Sequence, residues 1–381
     1  MIDASKLLEK NYIRNRKINL HRLKGKENEY FIQYNYKDIG AQQIREIASD
    51  LFYLKRTTIN KINKLYIVFY SLNPLDKLVD ILLETMIYEI MSNYKLSIQI
   101  QFKKYLLNIN TNGLFKSPLG KYIKNVDVEK FKKQFNRMVD GHNFRRVISI
   151  DKDGYEGPAL ISSEVRSFLK PFDIDKDCIS NLSLVVGELV DNVYDHAQSD
   201  CLIDIDITER EYIKQDNETD NLYYAVNVVV LNFSKKCLFE DVKNKFKNKL
   251  YSKHERYDMV QEIFNKHESF FGKKYNADDF YMLSSFQKGI SGRENETKTG
   301  GTGLSNFIRE LAVKSQEDYC YLLTGENGLV FKKELLKYND DGWIGFNKSN
   351  DFNKIPDDGV VFHTKTFLPG TAYNFLLVFG G

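Results

Sequence analysis

One stretch near the middle of the chain, residues 181–197, constrains the fold most strongly. Its apolar residues recur at three- and four-residue steps: Leu182, Val185, Val186, Leu189, Val190 and Val193. This spacing predicts a helix that buries one face. Four polar residues share the opposite face, because they stand at i, i+3, i+4 and i+7: Glu188, Asp191, Asn192 and Asp195. A carboxylate and a carboxamide one turn apart can handle a proton and a metal ion together, although an ordinary amphipathic helix has the same pattern.

The composition is typical of a folded globular protein with two domains. The chain has 381 residues, of which 42% are hydrophobic and 28% charged. The longest apolar runs, such as 65–70 and 226–231, have the length of strands and are too short to span a membrane. The four cysteines are widely spaced, without a CxxC pair, which favours free thiols over a zinc site. Since the first residues also lack the plan of a secretory signal, we expect a cytoplasmic protein.

Charge is distributed unevenly along the chain. Residues 1–150 contain 27 Lys and Arg against 14 Asp and Glu, whereas residues 151–381 contain 28 basic and 38 acidic residues. A basic front half is able to bind an acidic protein partner, nucleic acid, or the acidic half of its own chain or of a second copy. Its basic residues are scattered, however, and no nucleic-acid module signature is present. We therefore expect a protein partner for this half.

The front half, residues 1–140, has the pattern of a mixed α/β domain. Strands are predicted at 29–36, 64–70 and 95–102, and helices at 41–53, 75–93 and 127–139. Strand, helix and strand at this spacing indicate a crossover unit on a sheet. No catalytic constellation is visible here, so we interpret this domain as a sensing or partner-binding module.

The back half, residues 141–381, continues with alternating elements around the central helix. Strands are predicted at 146–151, 201–208, 222–231, 319–324 and 372–379, and helices at 162–169 and 305–313. A long charged helical stretch covers about 238–271. The segment 201–208 alternates apolar and polar residues like a half-buried strand, with one face in solvent.

A glycine-rich segment, Thr299-Gly-Gly-Thr-Gly-Leu304, directly precedes the helix at 305–313. Glycines let backbone N–H groups approach a ligand closely, and a helix N-terminus carries positive partial charge, so the two together suit a phosphate. The segment is neither a Walker A loop nor a Rossmann fingerprint. A flexible hinge before a helix explains such a loop as well when the loop is taken alone.

Three motifs together resemble the GHKL ATPase/kinase superfamily, which includes gyrase, MutL, heat-shock chaperones and sensor histidine kinases. They are Glu188-Leu-Val-Asp-Asn192 with Asp195-His196-Ala197, then Gly300-Gly-Thr-Gly-Leu304, then Gly370-Thr371 in the last strand. The residues of the first motif are most similar to those of the anti-sigma-factor serine kinases. The resemblance covers about 145–381. It implies a two-layer α/β sandwich with a mixed sheet over 141–381 and an enlarged lid region at about 238–298.

The resemblance also implies ATP and Mg²⁺ as ligands and a role for each matching residue. Glu188 would be the general base towards a water or an acceptor hydroxyl, and Asn192 would hold Mg²⁺ through its amide oxygen. Thr371 would lie near the adenine, and Asp191 and Asn232 would complete the nucleotide site. The phosphates would be held by the loop residues Gly300, Gly301, Thr302, Gly303 and Leu304.

One position departs from the family pattern. Where the family has Asp-x-Gly-x-Gly, with the aspartate accepting from the adenine amino group, this chain has Asn232, and Ser234 and Lys236 replace both glycines. Asn232 still offers an acceptor oxygen.

Three functions follow from the resemblance. We expect an ATPase that acts as a conformational switch in a bacterial regulatory or defence system, with a homodimer as one possible assembly. The alternatives are a serine kinase of the anti-sigma type and a module that binds nucleotide without hydrolysing it.

Overall fold

The computed structural model describes residues 2–71, 74–94, 96–104, 128–150, 157–212, 221–250, 255–290 and 320–380. The chain divides into two compact units. The first comprises Met1–Val147, Leu202–Asp206 and Thr364–Phe367, and the second comprises Ile148–Cys201, Ile207–His363 and Leu368–Gly381.

The first unit contains a four-stranded sheet in the order β1-β2-β3-β4. Its strands are β1 (Leu20–Arg22), β2 (Glu29–Tyr34), β3 (Lys64–Ser71) and β4 (Ser97–Lys104), with β2, β3 and β4 parallel and β1 antiparallel to β2. Its helices are α1 (Ser5–Lys10), α2 (Ala41–Thr57), α3 (Lys77–Asn93) and α4 (Val128–Asn136). Because α2 and α3 connect successive parallel strands, the predicted crossover units are confirmed.

Helix α3 is the centre of the first unit's core. Every residue from Lys77 to Met91 is buried, so the helix is enclosed on all sides rather than amphipathic. Asp76 caps its N-terminus, accepting a hydrogen bond from the backbone N–H of Val79 at 3.0 Å.

A second sheet has six strands in the order β5-β6-β7-β8-β10-β9. They are β5 (Arg137–Asp140), β6 (Asn143–Ile148), β7 (Cys201–Tyr212), β8 (Asn221–Asn232), β9 (Tyr321–Val330) and β10 (Val361–Gly380). Strand β10 is antiparallel to both β8 and β9 and shows register shifts between His363 and Thr371. A register shift of this kind bends a strand and re-aims its side chains.

The second unit's helices are α5 (Gly157–Leu169), α6 (Lys176–Asn192), α7 (Glu240–Lys247), α8 (Glu255–His267) and α9 (Ala277–Ser284). Helix α6 is the predicted central helix. It begins five residues earlier than the pattern indicates, because Asp175 accepts hydrogen bonds from the N–H groups of Asp177 and Cys178, both at 3.0 Å. Its predicted apolar face is buried throughout.

The predicted fold class, mixed α/β, is confirmed. Three element predictions are wrong in detail. The strand predicted at 146–151 is β6, which begins and ends three residues earlier, at Asn143 and Ile148. The helix predicted at 127–139 ends at Asn136, and β5 begins at Arg137. The charged stretch predicted as one long helix at 238–271 contains two separate helices, α7 and α8. The glycine-rich segment and the helix predicted at 305–313 lie outside the described residues. Within the described part of the chain, none of the helices combines the length and the apolar character needed to cross a bilayer.

Candidate functional site

A pocket in the second unit lies where the end of α6, the end of β8, the start of α7 and strand β10 meet. Its lining residues are Leu189, Asn192, Val193, His196, Ala197, Asn232, Lys236, Cys237, Leu238, Asp241, Thr371 and Tyr373. Three of them are residues that the sequence placed in a nucleotide site: Asn192, Asn232 and Thr371. The motifs that supply them are far apart in sequence, and the fold brings them to one surface.

Strand pairing fixes two of these residues side by side. Thr371 of β10 is the register partner of Asn232, the last residue of β8, and on its other side it pairs with Thr324 of β9. Three neighbouring strands thus present Asn232, Thr371 and Thr324 in one row, and all three are buried. A row of side chains on adjacent strands is held rigidly by the sheet, which suits a recognition surface.

The helical wall of the pocket comes from an irregular helix end. After Asn192 the chain continues into a π-helical turn, Val193–Ala197, and stops at Gln198, which has a left-handed backbone with φ of 46°. Such turns are rare and occur frequently at functional sites. Here the turn brings His196 and Ala197 into the lining together with Leu189 and Asn192.

Hydrogen bonds join the base of the pocket into a small network. The backbone N–H of Thr371 donates to Oδ1 of Asn232 at 3.2 Å. The hydroxyl of Thr324 donates to the carbonyl oxygen of Gly370 at 2.7 Å, accepts from the N–H of Leu238 at 2.9 Å, and lies 3.3 Å from the hydroxyl of Thr371. The buried polar groups at the base therefore have defined orientations.

Gly370 allows β10 to approach β8 this closely. Its φ is +97°, a backbone conformation that side chains other than glycine rarely adopt. A Cβ at this position would lie 2.3 Å from Oδ1 of Asn232, 2.5 Å from the backbone oxygen of Asn232 and 2.8 Å from the backbone nitrogen of Ser234. The glycine of the predicted Gly370-Thr371 motif is thus a steric requirement for the base of the pocket.

One side of the pocket is charged. Nζ of Lys236 lies 2.9 Å from Oδ1 of Asp241, and Nδ1 of His196 lies 3.6 Å from Oδ2 of the same carboxylate. Burial raises the pKa of Asp241, but the hydrogen bonds from His196 and Lys236 outweigh it and hold the pKa below its usual value. Asp241 is therefore ionised at neutral pH, and it fixes both basic side chains at the pocket.

The rest of the lining is apolar, with Leu189, Val193, Leu238 and Tyr373 around the polar base. Apolar walls with a few oriented polar groups fit a flat heteroaromatic ring. The cavity volume at the pocket is about 30 Å³, well below the roughly 300–1,000 Å³ of typical small-molecule sites. A ring enters only if lining side chains move apart. Lys236, whose side chain is 53% exposed, is held at the pocket by Asp241 rather than by packing.

The other predicted site residues lie in different surroundings. Glu188 is half-buried, one turn before Asn192 on α6, and Asp191 is exposed; neither belongs to the pocket lining found among the described residues. Asp195 is also exposed. The phosphate-loop residues Gly300, Gly301, Thr302, Gly303 and Leu304 lie outside the described residues.

Sequence reasoning missed several lining residues. His196 belongs to a motif that carries the resemblance but received no role, and Lys236 was noted only as the replacement of a glycine. Asp241 follows Lys236 by five residues on the next helix, and its only sequence signal is an acidic residue in the first turn of α7. The pairing of Lys236 with Asp241 depends on the turn between β8 and α7, which periodicity does not reveal.

A second charged group, in the first unit, is fully buried. Arg145 is inaccessible to solvent; its Nε lies 2.5 Å from Oδ2 of Asp204, and one of its terminal nitrogens lies 2.5 Å from Oε2 of Glu84. Nζ of Lys77 lies 2.7 Å from Oδ1 of Asp204 and 3.5 Å from Oδ2 of Asp206. The strand predicted to have a solvated face at 201–208 therefore buries its aspartates in ion pairs, and that prediction is wrong. We assign a structural role to this cluster, since it has no access to solvent.

The residues at the pocket fit a nucleotide and a magnesium ion in part. The amide oxygen of Asn192 is a hard ligand of the kind Mg²⁺ accepts, and Mg²⁺ takes most of its remaining ligands from water and phosphate. Among the described residues, no group of three histidine, cysteine or acidic side chains is placed to hold a metal.

Comparison with known proteins gives no further constraint: no family model, no curated protein and no solved structure matches this chain.

Proposed function

We propose that this chain is a Mg²⁺-dependent nucleoside triphosphatase of the GHKL type, which uses nucleotide binding and hydrolysis as a conformational switch. ATP is the nucleotide that the sequence resemblance implies. The two-layer sandwich of that superfamily would lie in the second unit, with the segment at about 238–298 as its lid region.

The observation that supports this proposal is the convergence of Asn192, Asn232 and Thr371 on one pocket. The last two residues are 139 positions apart. The sequence motifs nominated them for one nucleotide site independently of any structure. Their convergence on one partly apolar cleft is what a GHKL-type nucleotide site would require.

Each residue has a defined task in this proposal. The base of the nucleotide would lie against Asn232 and Thr371, and Asn192 would hold Mg²⁺, which supplies positive charge to the phosphates. The carboxylate of Glu188, one turn from Asn192, would accept the proton of the attacking water. Positioning and charge stabilisation account for most of the rate enhancement in phosphoryl transfer, and these groups would supply them together with the glycine-rich loop that the resemblance assigns to the phosphates.

The test is nucleotide binding by calorimetry and phosphate release with Mg²⁺, measured on the full chain. In Glu188→Gln we expect release to fall by about 10²-fold or more, the contribution of a general base, while binding is retained. The matched control is Glu9→Gln, because Glu9 is exposed on α1; it should leave both binding and release unchanged.

Two results would redirect the proposal. Binding without release by the unmodified chain would favour the serine kinase of the anti-sigma type or a module that only binds nucleotide, and transfer of radiolabelled phosphate to a protein substrate separates these two. If no nucleoside triphosphate binds in the presence of Mg²⁺, the proposal is wrong.

The first unit is proposed as the partner-binding part, because the basic excess lies in residues 1–150. Sedimentation with and without nucleotide tests whether the partner is a second copy, as the dimers of the superfamily suggest. A homodimer would appear as a nucleotide-dependent doubling of mass.

A further inference from the structure

The side-chain amide of Asn232 at the base of the pocket can be oriented from its hydrogen-bond partner. The backbone N–H of Thr371 is a donor, so the side-chain atom of Asn232 that faces it at 3.2 Å must be the oxygen. The amide nitrogen of Asn232, with its two hydrogens, therefore points to the other side. Asn232 is only 3% exposed and lines the pocket.

The hydroxyl of Thr371 is oriented by the same reasoning. The hydroxyl of Thr324 has one hydrogen, and the carbonyl oxygen of Gly370, 2.7 Å away, can only accept it. In the 3.3 Å contact between the two threonines, the hydrogen must therefore come from Thr371. The oxygen of the Thr371 hydroxyl keeps lone pairs that are able to accept a hydrogen bond from a ligand.

The base of the pocket thus presents a donor, the amide nitrogen of Asn232, beside an acceptor, the hydroxyl oxygen of Thr371. Both residues are buried, at 3% exposed for Asn232 and 6% for Thr371. A ligand that matches this pair has an acceptor towards Asn232 and a donor towards Thr371. An unmatched pair of buried polar groups costs binding free energy, so the pair discriminates between ligands.

We propose that this pocket selects a 6-oxopurine, guanine or hypoxanthine, over adenine. This inference rests on the proposed function, that the pocket holds a nucleotide base. It differs from what the resemblance implies only in the identity of that base. In a purine nucleotide the substituent at C6 and N1 lie on the ring edge away from the sugar, which is the edge that enters first. The oxygen at C6 then accepts from Asn232, and the hydrogen on N1 is donated to Thr371.

Adenine reverses both groups. Its amino group at C6 faces the amide hydrogens of Asn232, and its N1 is bound only if the hydroxyl of Thr371 turns its hydrogen away from Thr324. An aspartate in place of Asn232 would keep the hydrogen bond from the N–H of Thr371 through one oxygen and present a second oxygen to the ligand. That second oxygen accepts from an amino group, so Asn232→Asp should exchange the preference.

The experiment is calorimetry of the full chain with ADP, GDP and IDP in the presence of Mg²⁺, since diphosphates bind without turnover. We expect GDP and IDP to bind about tenfold or more tightly than ADP, the discrimination given by a pair of matched hydrogen bonds to a base edge. IDP lacks the 2-amino group of GDP, so similar affinities for the two would assign the selection to C6 and N1. In Asn232→Asp we expect ADP to become the tighter ligand by a similar factor.

The matched control is Asn60→Asp, which makes the same chemical change at an exposed position in the first unit and should leave the three affinities in their original order. Tighter binding of ADP than of GDP by the unmodified chain overturns the inference and leaves the proposed function standing. Absence of binding of all three diphosphates overturns both. If Asn232→Asp does not fold, as judged by thermal unfolding, the comparison of the three nucleotides on the unmodified chain still decides.

Discussion

Asp80 gives the sharpest test of the buried charge cluster, because its carboxyl group is enclosed without a hydrogen bond. It lies on α3, is 1% exposed, and neither of its oxygens has a hydrogen-bond partner among the described residues. Burial raises the pKa of Asp80 well above its usual value, and the negative charges of Glu84 and Asp206 raise it further against the attraction of Lys77. The folded protein therefore favours the neutral acid.

The direction of the pH effect follows from proton linkage. In the unfolded chain Asp80 has an ordinary pKa of about 3.9, so above that pH folding must take up a proton. The stability contributed by the neutral acid is complete below the unfolded pKa and is lost as pH rises towards the folded pKa. At pH 7 the cost of taking up this proton reaches at most about 4 kcal/mol, at about 1.36 kcal/mol for each pH unit above 3.9.

An asparagine in place of Asp80 would be neutral at every pH and nearly identical in size, so Asp80→Asn removes this cost. We expect the free energy of unfolding to rise by up to about 4 kcal/mol at pH 7 and to change little at pH 4. Urea unfolding followed by circular dichroism at pH 4, 5, 6 and 7 measures it. Glu27→Gln is the control, since Glu27 is exposed. A destabilisation that is constant across this range would refute the reasoning, because it would mean that Asp80 is charged and favourably paired in the folded protein.

Two further predictions concern the same cluster and the base of the pocket. Arg145→Met removes the buried cation that Glu84 and Asp204 share, although Asp204 keeps Lys77, and should destabilise the protein by about 3–5 kcal/mol in urea unfolding; a change below about 1 kcal/mol would contradict the pairing. Gly370→Ala should cost about 2 kcal/mol or more and abolish nucleotide binding in calorimetry, because its Cβ meets Asn232 and Ser234 in addition to the strain of a positive φ. Gly25→Ala, also at a positive φ but with no atom within 4 Å, should cost only about 1 kcal/mol and retain binding.

Periodicity could predict the helices and strands whose structure is determined by residues close together in the sequence. The apolar face of α6 and the parallel crossover units of the first unit are examples, and each was predicted close to its observed bounds. Helix ends were less accurate, because a single side chain such as Asp175 fixes the start of α6 by capping its N–H groups. The capping residue was visible in the sequence, but several acidic residues nearby were equally plausible caps.

The aspartates of β7 show why burial could not be predicted in the same way. Their alternation with apolar residues indicated a solvated face, yet Asp204 is 3% and Asp206 5% exposed. The cations that make this burial tolerable, Lys77 and Arg145, come from α3 and β6, which are distant in sequence. A buried charge is stable only with its partner, and the partner is a property of the tertiary structure.

The candidate site contains residues of both kinds, those that the sequence indicated and those that only the tertiary structure orients, and the proposed base selectivity rests on both. Motif spacing nominated Asn232 and Thr371, but a side-chain amide offers an acceptor and a donor, and the sequence does not say which of them faces the ligand. The choice is made by the N–H of Thr371, which a close approach of β10 at Gly370 directs onto the Asn232 oxygen. An amide so fixed presents its hydrogens to the pocket, whereas an aspartate at the same position would present oxygen. In the proposed nucleotide site, the identity of the bound base would therefore depend on one backbone hydrogen bond between two strands, and the comparison of GDP with ADP measures the consequence of that bond directly.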